Sequence, residues 1–280
     1  MRSKSSILIT TGDPNGIGPE VTKKALKDPR IKALASFSVI EPRDNTGFDA
    51  IKKAVGILKK GKADGLVTAP VNKAAINKSG VSFKGHTEYL ARATHTKNFA
   101  MMLCGCSLRV VVVTRHIALR KVPKSLTQKS IKGAILLTEE ALRRYFGIKR
   151  PRIGVCGLNP HCGENGLMGT EEKEFIAPAI NSLRYKMPGL YGVLPADVIF
   201  YMAYNGKLDA VVSMYHDQGL GPFKMIAFER GVNVTLGLPF IRTSPDHGTA
   251  YDIAGKGIAS PGSMKEAIRL AVTMCQGGPL

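Results

Sequence analysis

Three features of the sequence predict an α/β fold built on a mainly parallel sheet. Short apolar runs of the kind that become buried strands alternate with segments of helical period. Three of those runs end in polar stretches carrying a histidine, at the place where an open α/β sheet puts its ligand crevice. The composition, 44% hydrophobic and 22% charged over 280 residues, suits one large α/β domain or two smaller ones sharing a cleft.

The first strand is Ile7 to Thr11, running into Gly12-Asp-Pro-Asn-Gly-Ile-Gly-Pro-Glu20. Pro19 and Glu20 suit the first turn of a helix that reaches about Asp28. Such a glycine-rich turn presents backbone N–H groups to an anion. Val21 occupies the place where a dinucleotide fingerprint needs its third glycine, so the turn alone is a weak signal. Phe37 to Ile40 is a short strand. Phe48 to Lys60 is a helix stopped by Gly61, and Asp64 to Pro70 is a strand followed by a short helix. Gly85-His86-Thr87-Glu88 opens another helix, and Thr87 can be read equally as a cap or as a ligand.

Phe99 to Cys104 and Leu108 to Thr114 read as strands, the second ending in Arg115-His116. Thr127 caps a long helix through Ile131, Ile135, Leu142 and Phe146, ended by Gly147. The strand from Pro151 to Leu158 ends in Asn159-Pro160-His161, and helices follow at Glu171 to Tyr185 and Asp197 to Asn205. Ala210 to Met214 is a buried strand broken by His216-Asp217-Gln218, where Gly219, Gly221 and Pro222 predict a loop. Strands are expected at Met225 to Phe228 and Val232 to Leu236, a polar loop at Thr243 to Thr249, and helices near Ala250 to Ala254 and Ser263 to Met274.

The formal charge of +19 comes from lysines and arginines scattered over many segments. With no finger, aromatic RNA motif or basic zipper beside them, they argue for a basic surface or an anionic small substrate over specific nucleic-acid binding. No apolar run approaches the roughly 18 residues of a membrane helix, no secretory leader is evident, and the chain reads as cytoplasmic. The five cysteines read as reduced core thiols.

His116, His161 and His216 thus occupy equivalent ends of three apolar strands. Parallel strands bring those ends to one rim, and three imidazoles with an open position form a catalytic divalent-metal site with zinc as natural tenant. Asp217 reads as a second ligand layer, a carboxylate ligand or a turn residue. Lys224, Asn233 and Arg242, spaced nine apart, suit a phosphate or carboxylate. Asn233 and Arg242 lie among apolar residues, where a charge should have a partner.

Gly12 to Glu20, Gly85-His-Thr-Glu88, Gly157-Leu-Asn-Pro-His-Cys-Gly-Glu164, Tyr215-His-Asp-Gln-Gly-Leu220 and Thr243-Ser-Pro-Asp-His-Gly-Thr-Ala250 resemble, in order and over nearly the whole chain, the 4-hydroxythreonine-4-phosphate dehydrogenase family of vitamin B6 biosynthesis. The resemblance implies an isocitrate/isopropylmalate-dehydrogenase-like fold of two α/β/α domains with a cleft between them. The expected division is 1–80 with 256–280 against 81–255. It also implies NAD+ or NADP+ as oxidant, a divalent cation (Zn2+, Mg2+ or Co2+), and a homodimer with the active site at the subunit interface.

On this resemblance His116, His161 and His216 are the metal ligands, and His86, Thr87, Lys224, Asn233 and Arg242 bind the phosphorylated substrate. Asp217, Lys224 and Asp246 stand unranked as the group that takes the hydroxyl proton, and cofactor-binding residues are unassigned. The implied reaction oxidises the 3-hydroxyl of 4-phosphooxy-threonine and releases CO2. Sister enzymes act on phosphorylated threonate or erythronate or on cyclic diols. The chain is several tens of residues shorter than the family, with the shortfall falling between the first helix and Phe48. A truncated, catalytically impaired homologue, binding nucleic acid through its charge, is the reading from another class.

Overall fold

A computed structural model describes residues 4–277. In chain order it begins with β1 (Ser6–Thr10), α1 (Gly18–Lys27), β2 (Ser36–Ile40), α2 (Phe48–Lys59), β3 (Gly65–Thr68), α3 (Lys73–Lys78) and α4 (His86–Ala93). There follow β4 (Ala100–Gly105), β5 (Leu108–Thr114), α5 (Gln128–Arg144), β6 (Ile153–Cys156), α6 (Ala177–Arg184), β7 (Leu190–Leu194), α7 (Ala196–Tyr204), β8 (Ala210–Tyr215) and α8 (His216–Ala227). The chain closes with β9 (Val232–Leu236), β10 (Ile241–Pro245) and α9 (Gly262–Gln276). Two compact units result, 1–97 with 229–280, and 98–228.

In the first unit the strand order is β2-β1-β3-β10-β9, parallel except for the β9–β10 hairpin. Residues 81–97 and 229–255 group here for local reasons. Tyr89 of α4 packs edge-on against Phe48 of α2, ring centroids 4.9 Å apart, and β10 pairs directly with β3. α9 buries Met264, Ala267, Ile268 and Ala271, and the Thr243 hydroxyl donates to the Ala267 carbonyl.

The second unit has the order β4-β5-β8-β6-β7, parallel except for the β4–β5 hairpin. The two hairpins fit a mainly parallel sheet, and both are antiparallel for the same reason. Two or four residues separate the paired strands, too few for the crossover that a parallel pair needs. α5 starts where Thr127 caps it, the hydroxyl accepting the Ser130 N–H at 3.1 Å in a capping box.

The structure corrects several element expectations. The stretch after β8 is a helix and not a loop: α8 starts at His216 and contains Gly219, Gly221 and Pro222. Gly219 is there for packing, since a Cβ at that position would lie 2.5 Å from the Ser213 hydroxyl and 2.9 Å from Val110. The strand expected at 225–228 falls at the end of the same helix. The polar loop expected from Thr243 begins as strand β10, and residues 251–257 form turns in place of a helix. β7 is a strand that local pattern did not announce. Among the described residues no helix is long and apolar enough to cross a membrane.

Candidate active site

In the first unit Arg242 leaves β10 beneath the surface, 3% exposed. Its register partner on β3 is Leu66, so Thr68, two residues on, shares its face. Arg242 Nε and Nη2 donate to the Thr68 hydroxyl at 3.2 and 2.6 Å, and Nη1 donates to the Thr235 hydroxyl at 3.1 Å. Thr235 Oγ1 in turn lies 3.1 Å from Thr87 Oγ1. Burial lowers the guanidinium pKa to about 10, with the Glu88 charge opposing, so Arg242 remains a cation at neutral pH. Among the described residues this buried cation hydrogen-bonds to hydroxyls, and of its neighbours the Glu88 carboxylate opposes the cost of its desolvation by charge. Donors turned to a further anion are costly to bury unmet.

Two neighbouring polar atoms are also without a partner among the described residues. The buried His86 Nε2 and Asn233 Oδ1 make no hydrogen bond. Asn233 lies two residues before Thr235 on β9 and therefore on the same face. His86 has its ring 5.7 Å from Phe83. Its pKa is held well below the usual histidine value, first by burial and then by the Arg242 and Lys73 charges, so the imidazole is neutral. The orphaned His86 nitrogen and Asn233 carbonyl oxygen beside a buried guanidinium suit a ligand that carries both an anion and a donor, the anion meeting Arg242 and a hydroxyl or ammonium donating to Asn233 Oδ1. Thr87 is not the cap: Gly85 precedes the helix, no side chain caps it, and the Thr87 hydroxyl faces Thr235.

The histidine cluster belongs to the second unit. β5, β8 and β6 are adjacent and parallel, and His116, His216 and His161 follow their carboxyl ends. The rings of His116 and His216 come within 5.3 Å, centroid to centroid. His216 Nδ1 lies 2.6 Å from Asp217 Oδ1, and His161 Nδ1 lies 2.6 Å from Glu164 Oε1. A carboxylate on Nδ1 fixes the ring and leaves Nε2 outward, the arrangement metal-bound histidines use, so the donors suit a divalent cation. The same contact, by its hydrogen bond and then its charge, raises the pKa of His161. Among the described residues no group of three His, Cys, Asp or Glu side chains is set to hold a metal ion. His116 and His216 are brought together, and His161 stands on its own loop.

That loop is strained. His161, Cys162, Gly163, Glu164 and Asn165 all have positive φ, from 40° to 78°, a left-handed turn in which four residues carry a Cβ. His161, Cys162 and Glu164 each cost on the order of 1–2 kcal/mol there, whereas Asn165 tolerates the conformation better. Glu172, 5% exposed, lies beneath it. Its Oε1 accepts the backbone N–H of Leu158 and Asn159, both at 2.8 Å, and its Oε2 accepts Asn159 Nδ2 at 3.0 Å. Nothing in the sequence singles out Glu172, because it stands in the charged run Glu171-Glu172-Lys173-Glu174, which reads as a solvated helix face.

Other candidates fall elsewhere. Lys224 sits on α8 in the second unit, with Nζ 5.2 Å from the Phe228 ring centroid, whereas Asn233 and Arg242 are in the first. Asp217 is 88% exposed at the start of α8. Asp246 follows β10, where its N–H donates to the Ser263 hydroxyl at 3.0 Å. Gln218 is structural: Oε1 accepts the Met214 N–H and Nε2 donates to the Gly157 carbonyl, both at 2.7 Å, joining β8 to the end of β6. The glycine-rich turn after β1 spends much of its polarity internally. Asp13 N–H donates to the Pro70 carbonyl and Ile17 N–H to the Thr249 carbonyl, and the Asp13 carboxylate accepts the Tyr251 hydroxyl at 2.5 Å. All five cysteines are free.

Comparison with known proteins agrees with the motifs. The model of the family described as pyridoxal phosphate biosynthetic protein PdxA matches residues 22–271. The 4-hydroxythreonine-4-phosphate dehydrogenase of Desulforapulum autotrophicum is 44% identical over 317 residues, covering 94% of this chain and 93% of that one. The D-threonate 4-phosphate dehydrogenase of Cupriavidus necator is 50% identical over 319 residues, covering 93% and 94%. An alignment of 317 positions against a chain of 280 means that the relative carries at least 37 positions without a counterpart here. The crystal structure of the Klebsiella pneumoniae 4-hydroxythreonine-4-phosphate dehydrogenase superposes with a TM-score of 0.86 at 37% identity, covering 99% of this chain and 100% of that one. Isocitrate dehydrogenase from Methylococcus capsulatus shares the fold, with a TM-score of 0.58 at 14% identity over 94% of this chain and 83% of that one.

Proposed function

Because the chain belongs to the PdxA family, we propose that it is an NAD(P)-linked dehydrogenase of 4-phosphooxy-L-threonine (4-hydroxythreonine 4-phosphate), acting in the biosynthesis of pyridoxal 5'-phosphate. Oxidation at C3 passes a hydride to the nicotinamide of NAD+ or NADP+ and releases the hydroxyl proton. The β-keto acid then breaks its C1–C2 bond, loses CO2 and takes up a proton at C2, giving 3-amino-2-oxopropyl phosphate. The observation that carries this reading is the buried Arg242 cation, held by Thr68 and Thr235 hydroxyls with orphaned His86 and Asn233 atoms beside it. In this reading His86, Thr87, Asn233 and Arg242, with Lys224, bind the substrate's anionic groups.

His116, His161 and His216 would hold a divalent cation, Zn2+, Mg2+ or Co2+. Once bound it would supply Lewis acidity toward the substrate's oxygens. Asp217, Lys224 and Asp246 are the chain's own candidates for accepting the hydroxyl proton. The reading includes a homodimer with its active site at the subunit interface and a cytoplasmic location. Support for a dimer comes from exposed apolar side chains on two helices that pack on one core cluster: Val198, Tyr201 and Tyr204 of α7, with Met225 of α8 and the following Phe228.

One observation supports a second reading. The Cupriavidus D-threonate 4-phosphate dehydrogenase is 50% identical, level with the 49% of a Ruegeria 4-hydroxythreonine-4-phosphate dehydrogenase, so the threonate substrate has equal standing by identity. That substrate differs at C2, hydroxyl for amine, and the same oxidation and decarboxylation would give dihydroxyacetone phosphate. NAD+ and NADP+ reduction is to be measured with 4-phosphooxy-L-threonine and with 4-phospho-D-threonate, before and after chelation. Chelator-sensitive turnover of the amino substrate supports the first reading, and turnover of the hydroxy acid alone replaces it with the second. No reduction with either refutes both and leaves an impaired homologue.

A further inference from the structure

We propose that Glu172 is a positioning residue, a buried carboxylate clamp that sets the left-handed turn carrying His161 so that its imidazole is presented as a metal ligand. The proposal rests on the metal-site reading above. Among the described residues Glu172 has no cationic partner: its charge is met by the N–H groups of Leu158 and Asn159 and by the Asn159 amide. These are the last residues before the turn, and the Asn159 carbonyl accepts the Cys162 N–H at 3.1 Å, passing the restraint to the residues flanking His161. Two glycines close over the carboxylate. A Cβ at Gly163 would stand 2.8 Å from Oε2 and one at Gly157 3.2 Å from Oε1.

The backbone at Glu172 is built for the same contact. Glu172–Ile176 is a π-helical turn, a rare element found frequently at functional sites. The turn is not held by its own hydrogen bonds alone. His161 is 65% exposed on its side chain, and its ring bonds to Glu164 of the same turn. A carboxylate is required because all three of its partners donate. An amide in its place keeps one accepting oxygen and sets an NH2 group against the Asn159 NH2.

The test uses Co2+ as probe, read by its visible d–d absorption, together with amide hydrogen exchange over residues 157–166 of the metal-free protein. Glu172→Gln is expected to weaken Co2+ binding about 10- to 100-fold, as outer-layer changes at metal sites do, to alter the d–d spectrum and to speed exchange in that segment. Thr138→Val, which removes a buried hydroxyl on α5 that donates to the Ala134 carbonyl, should leave the spectrum and the affinity unchanged. A folded Glu172→Gln protein with unaltered Co2+ affinity, spectrum and exchange overturns the proposal. If the unaltered chain binds no Co2+, the metal reading fails instead, and segment exchange still decides whether Glu172 holds the turn. Should Glu172→Gln not fold, Glu172→Asp is measured in the same way, and unaltered affinity, spectrum and exchange in that protein overturn the proposal equally.

Discussion

Arg242 and His86 show how one side chain's environment fixes both its charge and its use. If Arg242 binds the phosphate as proposed, the buried guanidinium would offer it a charge-assisted partner, the setting in which a single arginine matters most. Arg242→Ala is expected to raise KM for the phosphorylated substrate by about 10- to 100-fold, the equivalent of roughly 1.5–3 kcal/mol for a charged hydrogen bond. Steady-state kinetics should show kcat changing far less, and an unchanged KM would take Arg242 out of the phosphate site. His86 makes a pH prediction. Its folded pKa lies well below 6.5, whereas in the unfolded chain it titrates near that value. Below pH 6.5 the unfolded chain therefore binds a proton that the folded one refuses, and stability falls as pH falls. Urea unfolding of wild type and His86→Gln from pH 7.5 to 5 should diverge below 6.5, approaching about 1.4 kcal/mol per pH unit, wild type being the more acid-sensitive.

Among the elements, α8 depends on a close approach that its own composition conceals. Gly219 lets the helix lie against Ser213 and Val110, and Gln218 ties β8 to the end of β6 through two buried hydrogen bonds. Gln218→Leu would strand the Met214 N–H and the Gly157 carbonyl. A loss of about 2–6 kcal/mol is expected in urea unfolding, from two unsatisfied buried groups at roughly 1–3 kcal/mol each. Gly219, Gly221 and Pro222 read locally as a loop, because turn signals describe a residue's own backbone preference. The packing that overrides them comes from strands whose contact is invisible along the chain. The same holds for Thr87: a hydroxyl beside a helix start reads equally as a cap or a ligand until Thr235, 148 residues away, is seen facing it.

For the molecule as a whole, the exposed apolar face of α7 and α8 makes the remaining prediction. If it seats a second copy, Tyr201→Asp combined with Phe228→Asp should shift the sedimentation coefficient from dimer to monomer, with the far-ultraviolet spectrum unchanged. A wild-type monomer at micromolar concentration would remove the dimer. Sequence alone determined the alternation of strands and helices, most of their positions, the family motifs and the arrival of three histidines at strand ends, because periodicity, caps and strand termini are local properties. It also located Arg242 and Asn233 as polar residues in apolar surroundings. Tertiary structure alone decided which neighbours those residues meet. The packing of Gly219 on Val110, the hydroxyl pair beneath Arg242, and Glu172 under the His161 turn are all contacts between segments apart in sequence. Burial and hydrogen bonding between such segments outweigh local preference, and no stretch of chain read by itself carries that term.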